Sequence, residues 1–322
     1  MLTLNDVEKM LRERKLLCAV TGTMQADETQ VCWLTCDSRT VAPDTVFVCK
    51  GAAFRQKYLL DAEEQGCIAY ISEIPYETQK DIRGWIVRDL QCRDIRMEHG
   101  KIMFSVVCDR FKETFTLGMK GKFNIENAMA AITAGYALGI PVSCMKEALA
   151  TTYVPGRMET YFSGDGHVCG IVDFAHNRLS FENLFDAVYQ EYPSYTKIIT
   201  VFGCPGGKAL NRRKELGTLA GLFSDFVYVT SDSPGTEHQE KIAAEVRRYV
   251  ERGGCACECV PEREEAVRKA VLMAYGMKEK TLVLVLGRGS EKYQKIGKKT
   301  CSYPTDAYLL EEAMKIQGIP DK

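Results

Sequence analysis

The chain has 322 residues, 46% hydrophobic and 26% charged, with a formal net charge of −1. That length exceeds what one core usually organises, so at least two domains are expected, and the near-neutral balance leaves no basic footprint for nucleic acid or an anionic membrane. No apolar stretch approaches the roughly 20 residues of a bilayer-spanning helix, the amino terminus opens directly with helix-like alternation, and the chain is expected in the cytosol.

In chain order, Asn5 to Arg14 reads as a helix, Val31 to Thr35 and Thr45 to Cys49 as short strands, Tyr58 to Gln65 as a helix closed by Gly66, and Ile68 to Ile71 as a strand. Thr21-Gly22-Thr23 resembles the start of a phosphate loop but continues without a lysine, and reads as a turn. From Cys92 to Leu117 alternation with Ile102, Phe104 and Val106 on one face predicts an antiparallel meander. Helices over Asn124 to Leu138, ending at Gly139, and Val142 to Ala150 follow.

Beyond Cys169 the order becomes regular. Strands Gly170 to Phe174, Lys197 to Phe202, Phe226 to Thr230, Ala256 to Val260 and Thr281 to Leu286 alternate with helices Arg178 to Gln190, Lys214 to Phe223, Glu237 to Val250, Glu262 to Tyr275 and Asp306 to Ile316. Such alternation implies right-handed crossovers and a mostly parallel, doubly wound sheet. The expected class is α/β: a small amino-terminal α/β domain (1–88), a middle segment (89–152) and a Rossmann-like domain (153–322).

Fourteen cysteines lie scattered, several inside apolar runs (Cys36, Cys49, Cys67, Cys169, Cys204), which favours buried reduced thiols over a disulfide framework. Cys255, Cys257 and Cys259 would share one strand face; the spacing suits small buried fillers better than a zinc site, and no metal site is expected. Arg212-Arg213-Lys214 is short, flanked by acids, and reads as a solvated helix face.

Ligands of open α/β sheets sit beyond the carboxyl ends of the strands. That rule selects Asp173 to Asn177, Gly203 to Lys208, Ser231 to Gly235 and Gly287 to Glu291. Gly203-Cys204-Pro205-Gly206-Gly207-Lys208 has the topology of a phosphate loop but the wrong glycine spacing, with Ala209 where Mg²⁺ needs a hydroxyl; a basic loop that receives a carboxylate or lines a cleft is the alternative. Asp173 and His176 suit a ribose, a metal or a proton shuttle, while Asp173 also suits a helix cap. Arg157, in a Pro-Gly turn, either clamps phosphate or pairs with Glu159.

Taken together, seven ordered segments resemble the Mur ligases, most of all their E-type members. They are Cys36-Asp37-Ser38-Arg39 with Asp44 to Val48 and Lys50-Gly51; Gly121 to Ala131; Pro155-Gly156-Arg157-Met158-Glu159; Val172 to His176; Val201 to Cys204; Thr230 to Pro234; and Gly287-Arg288-Gly289-Ser290-Glu291-Lys292-Tyr293-Gln294. The resemblance implies ATP-dependent addition of an amino acid to a UDP-linked muropeptide in peptidoglycan synthesis, with ATP and Mg²⁺ as the family's cofactors. It further implies that Asp37, Ser38 and Arg39 belong to a uridine-nucleotide pocket, that Asn124, Asn127, Arg157, Asp173 and His176 contact ATP, and that Lys208, Asp232, Ser233, Gly287 and Glu291 receive the amino acid.

Three departures qualify it. Lys208 and Gly235 stand where diaminopimelate-specific members carry arginine, which disfavours that substrate. Arg55-Gln56-Lys57 replaces the usual Asp-Gly-His. No G-x-x-x-x-G-K-[ST] loop occurs, and only Gln91 to Lys120 separates Leu90 from Gly121 where the family places its ATPase core, so the phosphate and metal sites are expected to be missing. A non-catalytic form that binds a muropeptide precursor, an amino acid or a partner ligase and regulates wall synthesis is expected, the alternative being a ligase whose ATPase comes from a partner across an exposed surface bearing Asn124 and Arg157.

Overall fold

A computed structural model describes residues 2–13, 16–49, 54–87, 90–98, 101–107 and 111–315. The Lys50-Gly51 pair, the predicted helix ends at Arg14 and Ile316 and the domain boundary at 88 lie outside the described residues. The chain divides into two compact units, one of residues 1–118 and 122–152, the other of 119–121 and 153–322.

In the first unit α1 (Leu4–Glu13), β1 (Leu17–Thr21), β2 (Trp33–Thr35), a 3₁₀ turn (Ser38–Thr40), β3 (Thr45–Cys49), α2 (Gln56–Glu64), β4 (Cys67–Ser72) and β5 (Arg83–Val87) build a five-stranded sheet ordered β1-β5-β4-β3-β2. All pairings are parallel except β1 with β5. Every residue of β3 is buried, as expected of an apolar strand covered on both faces. Glu8 fixes α1 to the sheet: its carboxylate accepts from Arg83 Nε and Nη2 at 2.8 and 2.6 Å and from Trp85 Nε1 at 3.0 Å.

Next come β6 (Gln91–Glu98), β7 (Lys101–Val107) and β8 (Lys112–Leu117), the predicted antiparallel meander, then α3 (Asn124–Ala137) and α4 (Val142–Thr151). Ile102, Phe104 and Val106 are buried together, as alternation requires.

The second unit contains β9 (Glu159–Phe162), β10 (Val168–Asp173), α5 (Arg178–Glu191), β11 (Lys197–Phe202), α6 (Asn211–Phe223), β12 (Phe226–Val229), α7 (Gln239–Arg252), β13 (Ala256–Cys259), α8 (Arg263–Gly276), β14 (Thr281–Leu286), β15 (Tyr293–Ile296), β16 (Lys299–Ser302) and α9 (Asp306–Lys315). The sheet order is β13-β12-β11-β14-β10-β9, with five parallel strands and β9 antiparallel at one edge; β15 and β16 form a separate hairpin. Because β14 inserts between β10 and β11, the loop at Gly287, last in sequence, lies between those at Asp173 and Gly203.

Two expectations about side chains are corrected. Arg213 is not on a solvated face: it is 4% exposed and donates to Glu237 and Glu245 at 2.6 to 2.9 Å, because α6 packs that side against α7. Cys36 is exposed, since β2 is a three-residue edge strand with little to cover it, whereas Cys49, Cys67, Cys169 and Cys204 are buried. Cys255 is buried and Cys257 and Cys259 half-buried, with no metal-ligand cluster among the described residues.

Candidate functional site

The turn before β9 carries Arg157. Gly156 adopts φ +70°, and a Cβ there would meet Ser290 N at 2.5 Å, so the turn lies directly on the loop after β14. Glu159 holds the turn from within, accepting from Gly156 N at 2.8 Å, from the Tyr161 hydroxyl at 2.6 Å and from the Tyr153 hydroxyl. Arg157 thus does not pair with Glu159; its guanidinium lies 5.1 Å from the centre of the Phe174 ring. Asp173, 3% exposed at the end of β10, accepts from Met158 N at 2.9 Å and Ala175 N at 2.7 Å. Burial pushes its carboxyl above the usual range, against the pull of those N–H groups and of Arg157. The α5 cap is Asn177, not Asp173, and His176 turns its Nδ1 to the Phe174 carbonyl at 2.7 Å. Arg157 and His176 therefore both meet Phe174, and Arg157 also acts on the neighbouring Asp173 carboxylate.

The loop after β11 turns two of its N–H groups to partners within the protein. Gly206 N donates to Ser233 O at 3.0 Å and Gly207 N to the Glu237 carboxylate at 2.9 Å, so the two glycine N–H groups are committed, one of them to an anion. Lys208 is exposed. Gly203 has no room for a side chain, since a Cβ would stand 2.3 Å from Thr230 O. Thr21-Gly22-Thr23 is a turn whose Thr23 N and hydroxyl are held by Asp81.

The loops after β12 and β14 form the densest polar cluster. Arg263 is fully buried and held by both oxygens of Asp306 at 2.6 and 2.8 Å; Asp306 also accepts from Gly289 N at 3.1 Å. Asp232 is 13% exposed at its side chain, with Arg288 Nη1 4.0 Å from its carboxylate. Burial raises its carboxyl to about 6, against the pull of Arg263 and Arg288. Gln294 bonds Ser231 Oγ at 2.7 Å and the Asp232 carbonyl. Ser233 Oγ accepts from Lys295 N at 3.3 Å, Gly287 N donates to Asp173 O at 3.0 Å, and Glu291 lies beyond Arg288. The structure brings Asp232, Ser233, Gly287 and Glu291 into linked loops. Sequence reasoning gave none of Arg263, Arg288, Gln294 and Asp306 a role in the site: Arg288 and Gln294 appeared only within a motif, Asp306 only as a helix start, and Arg263, the first residue of α8, carries no local signal of its burial.

In the first unit Asp37 caps the 3₁₀ turn, and Arg39 returns a forked pair to it at 2.8 and 2.7 Å; Ser38 is buried. Asn124 opens α3, accepting from Asn127 Nδ2 at 3.0 Å. It is 4% exposed, so the exposed surface expected there does not include it; the first turn of α3 turns Asn124 inward and Asn127 outward.

Residues 156–289 match the Mur ligase glutamate ligase domain. The chain is 33% identical over 211 residues to the UDP-N-acetylmuramoyl-L-alanyl-D-glutamate–2,6-diaminopimelate ligase of Clostridioides difficile, covering 65% of this chain and 42% of that protein. It is 34% identical over 199 residues to the corresponding L-lysine ligase of Streptococcus sanguinis, covering 62% and 40%. The chain thus spans less than half the length of these relatives. Among solved structures, the MurC ligase of Thermotoga maritima superposes with a TM-score of 0.54 at 16% identity, over 87% of this chain and 52% of that one. The MurF ligase of Thermotoga maritima with ADP gives 0.51 at 16% identity, over 85% and 54%; both are likenesses of fold.

A parallel sheet with this strand order and these loops at its carboxyl edge defines a ligase carboxy-terminal domain of the Mur type. Over residues 156–289 the chain belongs to the Mur ligase family, and its sequence relatives are of the E type.

Proposed function

We propose that this chain is an E-type relative in peptidoglycan-precursor synthesis that binds an amino acid or muropeptide precursor but does not drive ligation by itself. The observation that carries the reading is the stretch from Gln91 to Lys120: β6, β7 and β8 fill it and lead straight to α3, without a G-x-x-x-x-G-K-[ST] loop anywhere in the sequence. Phosphoryl transfer depends on positioning and on charge neutralisation by lysine and Mg²⁺, and single electrostatic contacts of that kind are worth about 10²- to 10³-fold in rate. The loop after β11 is a poor substitute, the N–H groups of Gly206 and Gly207 being taken by Ser233 and Glu237.

The amino acid is read at Asp232, whose enclosed carboxylate suits an ammonium group, with Ser233, Gly287 and Glu291 in the linked loops and Lys208 exposed on the loop after β11 as a further candidate; Lys208 and Gly235 argue against diaminopimelate. Asp37, Ser38 and Arg39 are read as the uridine-nucleotide contacts, and residues 1–88, 89–152 and 153–322 as the amino-terminal, reduced central and carboxy-terminal domains. A second reading, a ligase whose ATPase comes from another polypeptide, is favoured by β6: it is an outer strand with Ile95 and Met97 exposed.

The test is phosphate release by the purified chain with ATP·Mg²⁺, UDP-linked muropeptide and L-lysine. No release above background is expected; release in step with peptide extension overturns the reading. Release that appears only with a second polypeptide selects the alternative.

A further inference from the structure

A buried guanidinium is stable only where its donors and charge are met. Arg288 is fully buried, yet its one ion-pair partner among the described residues is Asp232, at 4.0 Å. Its other commitments are to backbone and ring: Nη1 to Asp232 O at 3.4 Å, Nη2 to Tyr293 O, and the Tyr303 ring 5.1 Å away, while Nε has no partner. One side chain thereby braces the loop after β12, the loop after β14, the start of β15 and the segment after β16. Gln294 adds a second donor to the Asp232 carbonyl. With that carbonyl held by both, no hydrogen-bond donor reaches the Asp232 carboxylate among the described residues, and it is left open for a ligand.

We infer that Arg288 is the positioning residue of the amino-acid pocket, fixing the 231–235 loop in place and supplying the counter-charge that keeps Asp232 ready to receive a substrate's ammonium group. The inference rests on the amino-acid reading of the site. The groups facing Asp232 are Arg263 from α8, Arg288 and Glu291 from the loop after β14, and Asp306 from α9. Arg263 exerts the larger pull on Asp232 but is offset by its own partner Asp306, whereas Arg288, 4.0 Å from the Asp232 carboxylate, has no other carboxylate partner among the described residues, so its charge falls on Asp232. Loss of a neighbouring positive charge raises a carboxyl pKa.

The experiment titrates the Asp232 carboxyl by ¹³C NMR in the full chain, with Asp232→Asn to assign the resonance, and compares Arg288→Met and Arg288→Lys. Arg288→Met is expected to move the titration up by at least about one pH unit, a tenfold change in proton affinity. Arg288→Lys restores the charge but not the fork: the titration is expected to stay near wild type, while exchange of the Gly235 amide, which bonds Lys295 O at 3.0 Å, accelerates at least about tenfold. Unchanged titration in a folded Arg288→Met protein overturns the inference; should that variant not fold, unchanged Gly235 exchange in Arg288→Lys overturns it. L-lysine binding, measured by calorimetry, is a separate arm. Failure of the wild-type chain to bind L-lysine defeats the cationic-substrate reading of the site, while the titration and exchange arms still decide the role of Arg288.

Discussion

Asp306 opens α9 with both carboxylate oxygens on Arg263 and one also on Gly289 N, so a single acid joins α8, α9 and the loop after β14. Removing one member of a buried pair costs about 3–5 kcal/mol because the other charge stays buried, whereas replacing both by apolar groups is far milder. Asp306→Ala is therefore expected to lower stability by about that amount in urea unfolding, and Arg263→Met with Asp306→Leu by much less; equal losses would show that the pair itself, not the stranded charge, matters. Asp232 gives a pH prediction. Its carboxyl titrates near 6 in the fold and near 3.8 in the unfolded chain, so the fold binds this proton more tightly. Its contribution therefore falls as pH rises from about 4 to about 6 and is flat above. Asp173 acts in the same direction, so the readout is the difference between wild type and Asp232→Asn across that window; parallel stability curves would refute it. Asp232 itself was legible in the sequence because it ends a β-rich run in a polar loop. Its controllers Arg263, Arg288, Gln294 and Asp306 come from three later segments, and only tertiary folding brings them together.

Alternating strands and helices after Cys169 were legible as elements because continuous apolar runs such as Thr281 to Leu286 mark buried parallel strands. β1, β9, β15 and β16 were not: β1 and β9 are antiparallel edges, β15 and β16 are largely exposed, and such strands lack a full apolar face. β5 was missed as well, although it lies inside the sheet with Gly84 to Val87 buried, because Gly84 and the charged Arg83 break up a short run. Helix packing was equally hidden. Gly217 and Gly221 lie on the buried side of α6, and a Cβ at Gly221 would stand 2.3 Å from Val250 O of α7. In an exposed helix, glycine to alanine stabilises by about 1 kcal/mol. Here the obstacle is backbone, which cannot rotate away, so Gly221→Ala is expected to destabilise by about 1–3 kcal/mol, as overpacking does. A raised melting temperature for that variant would contradict the packing argument.

At the scale of the whole molecule, the fold class was legible because the family's segments occur in order along nearly the entire chain, each at a strand end or helix start. What the sequence could not supply was the order of strands across the sheet, since β14 is last among the parallel strands yet pairs with the first two, β10 and β11. That insertion has a consequence for autonomy: every strand of the six-stranded sheet, and a continuous core from Val168 to Met314, comes from residues after 152. From 119–121 the second unit takes the bond from Gly121 N to Glu191 at 2.8 Å, and one such hydrogen bond to a charged group is worth about 1.5–3 kcal/mol. A polypeptide of residues 153–322 is therefore expected to fold without the rest, with dispersed amide resonances and a cooperative urea transition. Its Gly289, Gly235 and Ser231 amides should remain protected from exchange, because their acceptors Asp306, Lys295 and Pro261 all lie within it. A fragment that stays collapsed without fixed side-chain signals would mean that the parallel sheet depends on the first 152 residues, and the two compact units would then be one folding unit.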